Sequence, residues 1–168
     1  AILGASVEDV EYFIASVGNM EGLVEIANDN APGQVVISGN VEPLDLIIDV
    51  AKKSGVRKII KLSVSAPFHC SLMKPAAEIM KNALEKVKFL EPKVPIISNV
   101  SAIPETSPQI LKSNLVLQVT NRVRWRETMA SLPRLGISQI VEMGTGQVLT
   151  GLARRGAKNL QSINLETS

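Results

Sequence analysis

The sequence predicts an α/β protein in two parts, an α+β small part followed by a helix-rich one. Three observations predict it. Over residues 1–64, short apolar runs and helical stripes alternate in the order β-α-β-β-α-β. Beyond residue 64 helical stripes dominate, with two strand candidates among them. Aromatic residues make up only 3% of a chain that is 45% hydrophobic, so the core must be aliphatic, which suits helices packed on sheets.

The elements follow in order. Residues 1–3 are a short strand candidate. Ser6 is a good N-cap with Asp9 three residues on, and Val7, Val10, Ile14 and Val17 mark an apolar helix stripe that Gly18 and Asn19 end. Residues 23–27 read as a strand, 28–33 as a turn rich in Asn, Asp, Pro and Gly, and 34–39 as a second strand, giving a hairpin. Leu44, Ile47, Ile48 and Ala51 mark a helix ending at Gly55, and residues 58–64 a fourth strand. This is the split βαβ, or ferredoxin-like, pattern. In the second part, residues 72–87 predict a long helix with Pro75 in its first turn, and 94–99 a short strand. Residues 107–119 predict a helix with Pro108 at its start, and 124–135 another carrying the only Trp. Residues 139–143 are a strand, 148–155 a short helix, and 159–168 a polar tail. The two strands, 94–99 and 139–143, suggest part of a parallel sheet. Two parallel strands do not make a doubly covered sheet, so further strands are expected from another segment. The domain boundaries are therefore 1–64, 65–158 and the tail 159–168.

Composition excludes several classes. The net charge of +2 is near balance and argues against a dedicated nucleic-acid binder. A single Cys rules out an intrachain disulfide and favours a reducing, cytoplasmic setting. One His and one Cys do not build a standard zinc site, so no metal is expected. No apolar run reaches the roughly 18 residues that span a bilayer. The opening Ala1-Ile2-Leu3-Gly4 is apolar from its first residue, which reads as a cut within a longer protein; removal of an initiator Met or tag is the alternative.

The chemistry concentrates in residues 66–75, Ala-Pro-Phe-His-Cys-Ser-Leu-Met-Lys-Pro, with the only histidine, His69, beside the only cysteine, Cys70. A lone His between a strand and a helix is a candidate acid/base group, with a structural role as the alternative. Adjacent side chains point apart, so a Cys70–His69 dyad is not expected. Ser71 reads as a helix cap. The chain has no Gly-x-Ser-x-Gly elbow to present an activated serine, so these residues read as half of an active site.

Pro67-Phe68-His69-Cys70-Ser71-Leu72-Met73 is followed by Asn99-Val100, Val123-Arg124-Trp125 and Glu142-Met143-Gly144-x-Gly146-x-Val148-Leu149-x-Gly151-Leu152. With Asn30-x-Pro32-Gly33-Gln34-Val35-Val36-Ile37-Ser38-Gly39, these motifs resemble the malonyl-CoA:acyl-carrier-protein transacylases of fatty-acid biosynthesis, from residue 1 to about Arg155. The resemblance implies a ferredoxin-like subdomain inserted in an α/β-hydrolase-like one. Of the latter, this chain would hold the C-terminal part. It implies an [acyl-carrier-protein] S-malonyltransferase that moves a malonyl group from coenzyme A to the phosphopantetheine thiol of acyl carrier protein. The acyl-serine, the arginine for the malonyl carboxylate and the oxyanion-hole glutamine would lie in an N-terminal half without counterpart here. This chain alone is therefore expected to be inactive, with that segment as a partner.

His69 matches the family's general base, and Gln118 the residue whose backbone carbonyl orients it. Phe68 would shape the pocket beside the acyl α-carbon, with core packing as its alternative. Asn30 and Gln34 would face the cleft and bind substrate, with turn formation the alternative for Asn30. The resemblance implies malonyl-CoA as substrate and no bound cofactor. Lys52, Lys53, Arg57, Lys58 and Lys61 would steer an acidic carrier protein, or form an ordinary solvated surface. The pentamer Arg122-Val123-Arg124-Trp125-Arg126 reads as a helix start with a buried Trp. A non-catalytic ferredoxin-like binding module, and one chain of a nicked two-piece enzyme, are the alternatives.

Overall fold

The computed structural model describes residues 1–18 and 21–165. The first helix, α1 (Val7–Ser16), begins where the sequence requires. Ser6 Oγ accepts from the Asp9 N–H at 3.1 Å, and Asp9 Oδ2 accepts from the Ser6 N–H at 2.8 Å, closing a reciprocal capping box. Before it runs β1 (Ile2–Leu3); after it come β2 (Val24–Ala31), β3 (Gln34–Gly39), α2 (Val41–Lys53) and β4 (Lys58–Ile59). The four strands form one antiparallel sheet in the order β2-β3-β1-β4. Ile2, Val10, Phe13, Val35, Ile47 and Ala51 bury themselves between this sheet and the two helices. The larger of these side chains, the Ile, Val and Phe residues, contribute about 1.5–3 kcal/mol each. Asn19, read from sequence as part of the helix stop, lies outside the described residues.

The hairpin differs from its expected form. The turn is only Pro32-Gly33, with Gly33 at φ 71°, and Asn28, Asp29 and Asn30 belong to β2. Turn propensity loses to pairing on both sides. The Asp29 N–H donates to Val123 O and the Val123 N–H to Ala27 O, both at 2.8 Å, while β3 pairs along the other edge. Two register irregularities in β2, between Ile26 and Asn28 and between Asp29 and Ala31, accommodate this double use. The fourth strand is shorter than residues 58–64. Its ladder stops beside Ala1, whose backbone exchanges hydrogen bonds with Ile60.

The second part contains α3 (Lys74–Glu85), entered through a 3₁₀ turn at Ser71–Met73, then β5 (Ile96–Ile97), β6 (Pro104–Glu105) and α4 (Pro108–Thr120). It continues with α5 (Trp125–Ser131), which runs into a 3₁₀ turn at Leu132–Leu135, β7 (Gln139–Met143), α6 (Val148–Gly156) and β8 (Gln161–Leu165). The expected pairing of the two strand candidates in one parallel sheet is corrected. β5 pairs antiparallel with β6, and β7 pairs in parallel with β8. The polar tail is corrected with it, since Gln161-Ser162-Ile163-Asn164-Leu165 is a strand whose alternating pattern carries a period-2 signal. Met129, Leu132, Ala153 and Leu160, with Trp125 and Ile140 against them, form a second small core.

The two parts are riveted at β2. Asp29, 1% exposed, takes both Oδ atoms to Arg126, with Nε at 2.8 and 3.0 Å and Nη2 at 2.8 Å. A buried carboxylate needs such a partner, because an unpaired one is strongly penalised.

Candidate active site

The loop after β4 carries His69 into a cavity of about 570 Å³. Its walls are β1, β2 at Asn28, β3, the first turns of α2 and the loop itself: Ile2, Asn28, Ile37, Leu44, Ile48, Ile60, Leu62 and Phe68, among others. The lining is mostly aliphatic, with the Lys61–Asp45 ion pair among it. A second, more polar cavity of about 510 Å³ also reaches His69; Glu11, Glu25, Ser71, Asn121 and Arg122 line it.

His69 is half-buried and adopts φ 59°, a left-handed backbone that a non-glycine residue takes only at a cost of about 1–2 kcal/mol. Three contacts hold it there. Its Nδ1 lies 2.8 Å from the backbone carbonyl of Gln118, on the last turn of α4. Cys70, fully buried, donates its thiol to Pro67 O at 3.1 Å. Ser71 donates both its N–H and its hydroxyl to the Glu25 carboxylate on β2, each at 2.7 Å.

A carbonyl oxygen only accepts, so Nδ1 carries the proton, and the neutral imidazole presents an unprotonated Nε2. The Gln118 amide Nε2 stands 3.5 Å from the same nitrogen but is committed to Asn121 O at 3.0 Å. The arrangement is a histidine oriented by a main-chain carbonyl instead of a carboxylate, with no hydrogen-bond partner on Nε2 among the described residues.

The other candidates separate. Phe68 is 46% exposed and lines the His69 cavity, so it is not core packing. Asn30 and Gln34 line neither cavity. Gln34 Oε1 instead accepts from Arg155 Nη1 at 2.7 Å, tying the hairpin to α6. Asn28, two residues before Asn30, is the hairpin amide in the His69 cavity. Sequence reasoning placed it in a turn and missed it. Ser71 does not cap α3; Glu25 takes its hydroxyl. Two of the three arginines of the basic pentamer are spent internally. Arg124 makes a paired contact with Glu127 at 2.8 and 2.5 Å, and Arg126 binds Asp29. Arg124's hydrogen bonds hold the Glu127 carboxyl below the usual carboxylate range. Among the described residues no cluster of three His, Cys, Asp or Glu could hold a metal ion, and no helix is long and apolar enough to cross a membrane.

No family model matches the chain. Individual relatives do. It is 39% identical over 163 residues to the malonyl CoA-acyl carrier protein transacylase of Bacillus subtilis, covering 97% of this chain and 51% of that protein. The acyl-carrier-protein S-malonyltransferase of Bartonella henselae superposes with a TM-score of 0.91 at 45% identity, covering 99% of this chain and 53% of that one. A malonyl-transacylase solved in complex with a type II PKS acyl-carrier protein gives a TM-score of 0.93 at 36% identity, over 99% of this chain and 54% of that one. The chain thus spans about half the length of the relatives it matches. Sequence and fold agree over nearly every residue, and the chain belongs to the malonyl CoA-acyl carrier protein transacylase family.

Proposed function

We propose that these residues are the C-terminal part of an acyltransferase that moves a malonyl group from coenzyme A to the phosphopantetheine thiol of acyl carrier protein, in cytoplasmic fatty-acid biosynthesis. The observation that carries the reading is the 2.8 Å contact between His69 Nδ1 and Gln118 O. A serine on another segment attacks the malonyl thioester and gives its proton to His69 Nε2. The C–S bond breaks and that proton passes to the departing CoA sulfur. In the second half-reaction the carrier thiol gives its proton to Nε2 and attacks the acyl-serine ester. The C–O bond breaks and Nε2 returns a proton to the serine. An imidazole can both accept and return a proton, which suits both directions. Phe68 narrows the cavity beside His69, which favours an unbranched malonyl chain.

The β2-β3-β1-β4 strand order supports reading residues 1–64 as a ferredoxin-like subdomain. Residues 65–158 would be part of an α/β-hydrolase-like one, to which β8 adds residues 161–165. The apolar face of β7 and β8 supports a missing partner segment. Val141 pairs with Ile163 and Met143 with Leu165, and all four are 41–75% exposed. A two-stranded parallel sheet with one open apolar face needs further cover. Lys53, Arg57 and Lys58 are exposed and form the cationic surface for an acidic carrier protein.

Denaturing intact-mass spectrometry after brief exposure to malonyl-CoA tests this reading. The 168-residue chain alone should remain unmodified, while the longer enzyme that contains it gains one malonyl adduct outside these residues. An adduct within these residues, or a longer enzyme that neither acquires an adduct nor transfers malonyl, would contradict it.

A further inference from the structure

We propose that Glu25 is a positioning residue for His69. From β2 its carboxylate holds the 66–71 loop so that the imidazole stays on the Gln118 carbonyl with Nε2 unprotonated. The inference rests on the reading of His69 as the base, but its test does not need transfer activity.

His69 sits in a left-handed conformation, and strain of that kind persists only where the surroundings over-determine it. On its N-terminal side the loop is held mainly within itself, by Phe68 N–H to Ala66 O at 3.0 Å and Cys70 Sγ to Pro67 O. Such contacts fix the loop's shape and leave its placement against the small sheet open. Glu25 fixes the placement. Its Oε2 accepts from the Ser71 N–H and its Oε1 from the Ser71 hydroxyl, both at 2.7 Å, across 46 residues of sequence. Charge-assisted bonds of this length are about twice as strong as neutral ones. Because β2 is itself pinned to Val123 and Arg126, the chain of contacts runs from α5 through β2 and Glu25 to Ser71, two residues past His69. Gln118 holds the same imidazole from the other side, and α4 packs on the 3₁₀ turn that begins at Ser71. Each carboxylate oxygen of Glu25 thus accepts one bond from Ser71. The other charged side chains in its cavity, Glu11 and Arg122, face one another at 3.9 Å.

The chain has one histidine, so selective ¹⁵N-histidine labelling gives one imidazole in a long-range ¹H–¹⁵N spectrum. Recorded at a pH well above the usual imidazole value of about 6.5, the spectrum reads the tautomer directly. The wild type should show one protonated, pyrrole-type nitrogen at Nδ1 and one pyridine-type nitrogen at Nε2. Glu25→Ala should draw the two signals together as the ring leaves the carbonyl and both tautomers populate, with far-UV spectra unchanged. Glu25→Gln should keep the wild-type pair, since its amide oxygen accepts from the Ser71 N–H and its NH₂ donates to Oγ. A folded Glu25→Ala with the wild-type signature overturns the proposal. Should that variant not fold, Ser71→Ala removes one of the two bonds and is read the same way. Partial averaging supports the proposal, and an unchanged pair overturns it. A failure here leaves the transferase reading standing. If the wild-type pair is seen but His69→Ala in the longer enzyme still transfers malonyl, that reading fails instead.

Discussion

A histidine at φ 59° whose ring nitrogen meets a main-chain carbonyl is held by backbone geometry as much as by side chains. The identity of residue 118 therefore matters less than the course of α4. The same dependence on main chain explains what could be read beforehand. His69 stood out as the only histidine in an apolar chain, and its loop followed from a strand and a helix start on either side. Asn28 and Glu25 did not stand out. An Asn in an Asn-Asp-Asn run signals a turn, and a Glu in a strand signals solvent. Only the pairing of β2 on both edges turns Asn28 to the cavity and brings Glu25 to Ser71. Asp29 was hidden for the same reason. Arg126→Ala would leave that buried carboxylate uncompensated. A loss of about 3–5 kcal/mol is predicted, seen as a lower urea midpoint at unchanged slope. A loss below about 1 kcal/mol, the scale of an exposed pair, would show that Asp29 is not dependent on Arg126.

At the scale of elements, helix starts were legible because local chemistry decides them. Ser6 with Asp9 gives a capping box, and Ser107 Oγ accepts from Ile110 N–H at 3.4 Å ahead of Pro108. The short ladder β5–β6 was only half legible, because two paired residues are too few to show a period. Glu142 illustrates a third case. It lies on β7, yet its carboxylate accepts the Leu149 and Thr150 N–H groups at 3.0 and 2.8 Å and so caps α6. That contact, the capping box at Asp9 and the Arg124 pair at Glu127 all hold their carboxyls below the ordinary values of 3.8 for Asp and 4.5 for Glu. A depressed folded-state value means that the unfolded chain takes up protons first. The stabilisation is therefore complete above the ordinary values and is lost as pH falls through the folded ones. Urea midpoints should stay level from about pH 7 to 5 and decline below about 4.5. A midpoint that rises on acidification would contradict these three assignments.

At the scale of the molecule, the two parts divide the labour. The antiparallel sheet with α2 supplies a mostly aliphatic wall, and the second part supplies the main-chain carbonyl and the helix that bears it. The order of the first six elements was legible from period alone, because each has its own caps or turn. The sheet of the second part was not. β7 and β8 present Val141, Met143, Ile163 and Leu165 to solvent, the open face that the proposed partner segment would cover. In the proposed reaction His69, set by Gln118, moves the protons of both half-reactions. The most direct test of that role is the rate of malonyl transfer to carrier protein by the longer enzyme carrying His69→Ala. A fall of about 10²–10⁴-fold with the thermal midpoint unchanged is predicted. Transfer within a few-fold of wild type would contradict the claim.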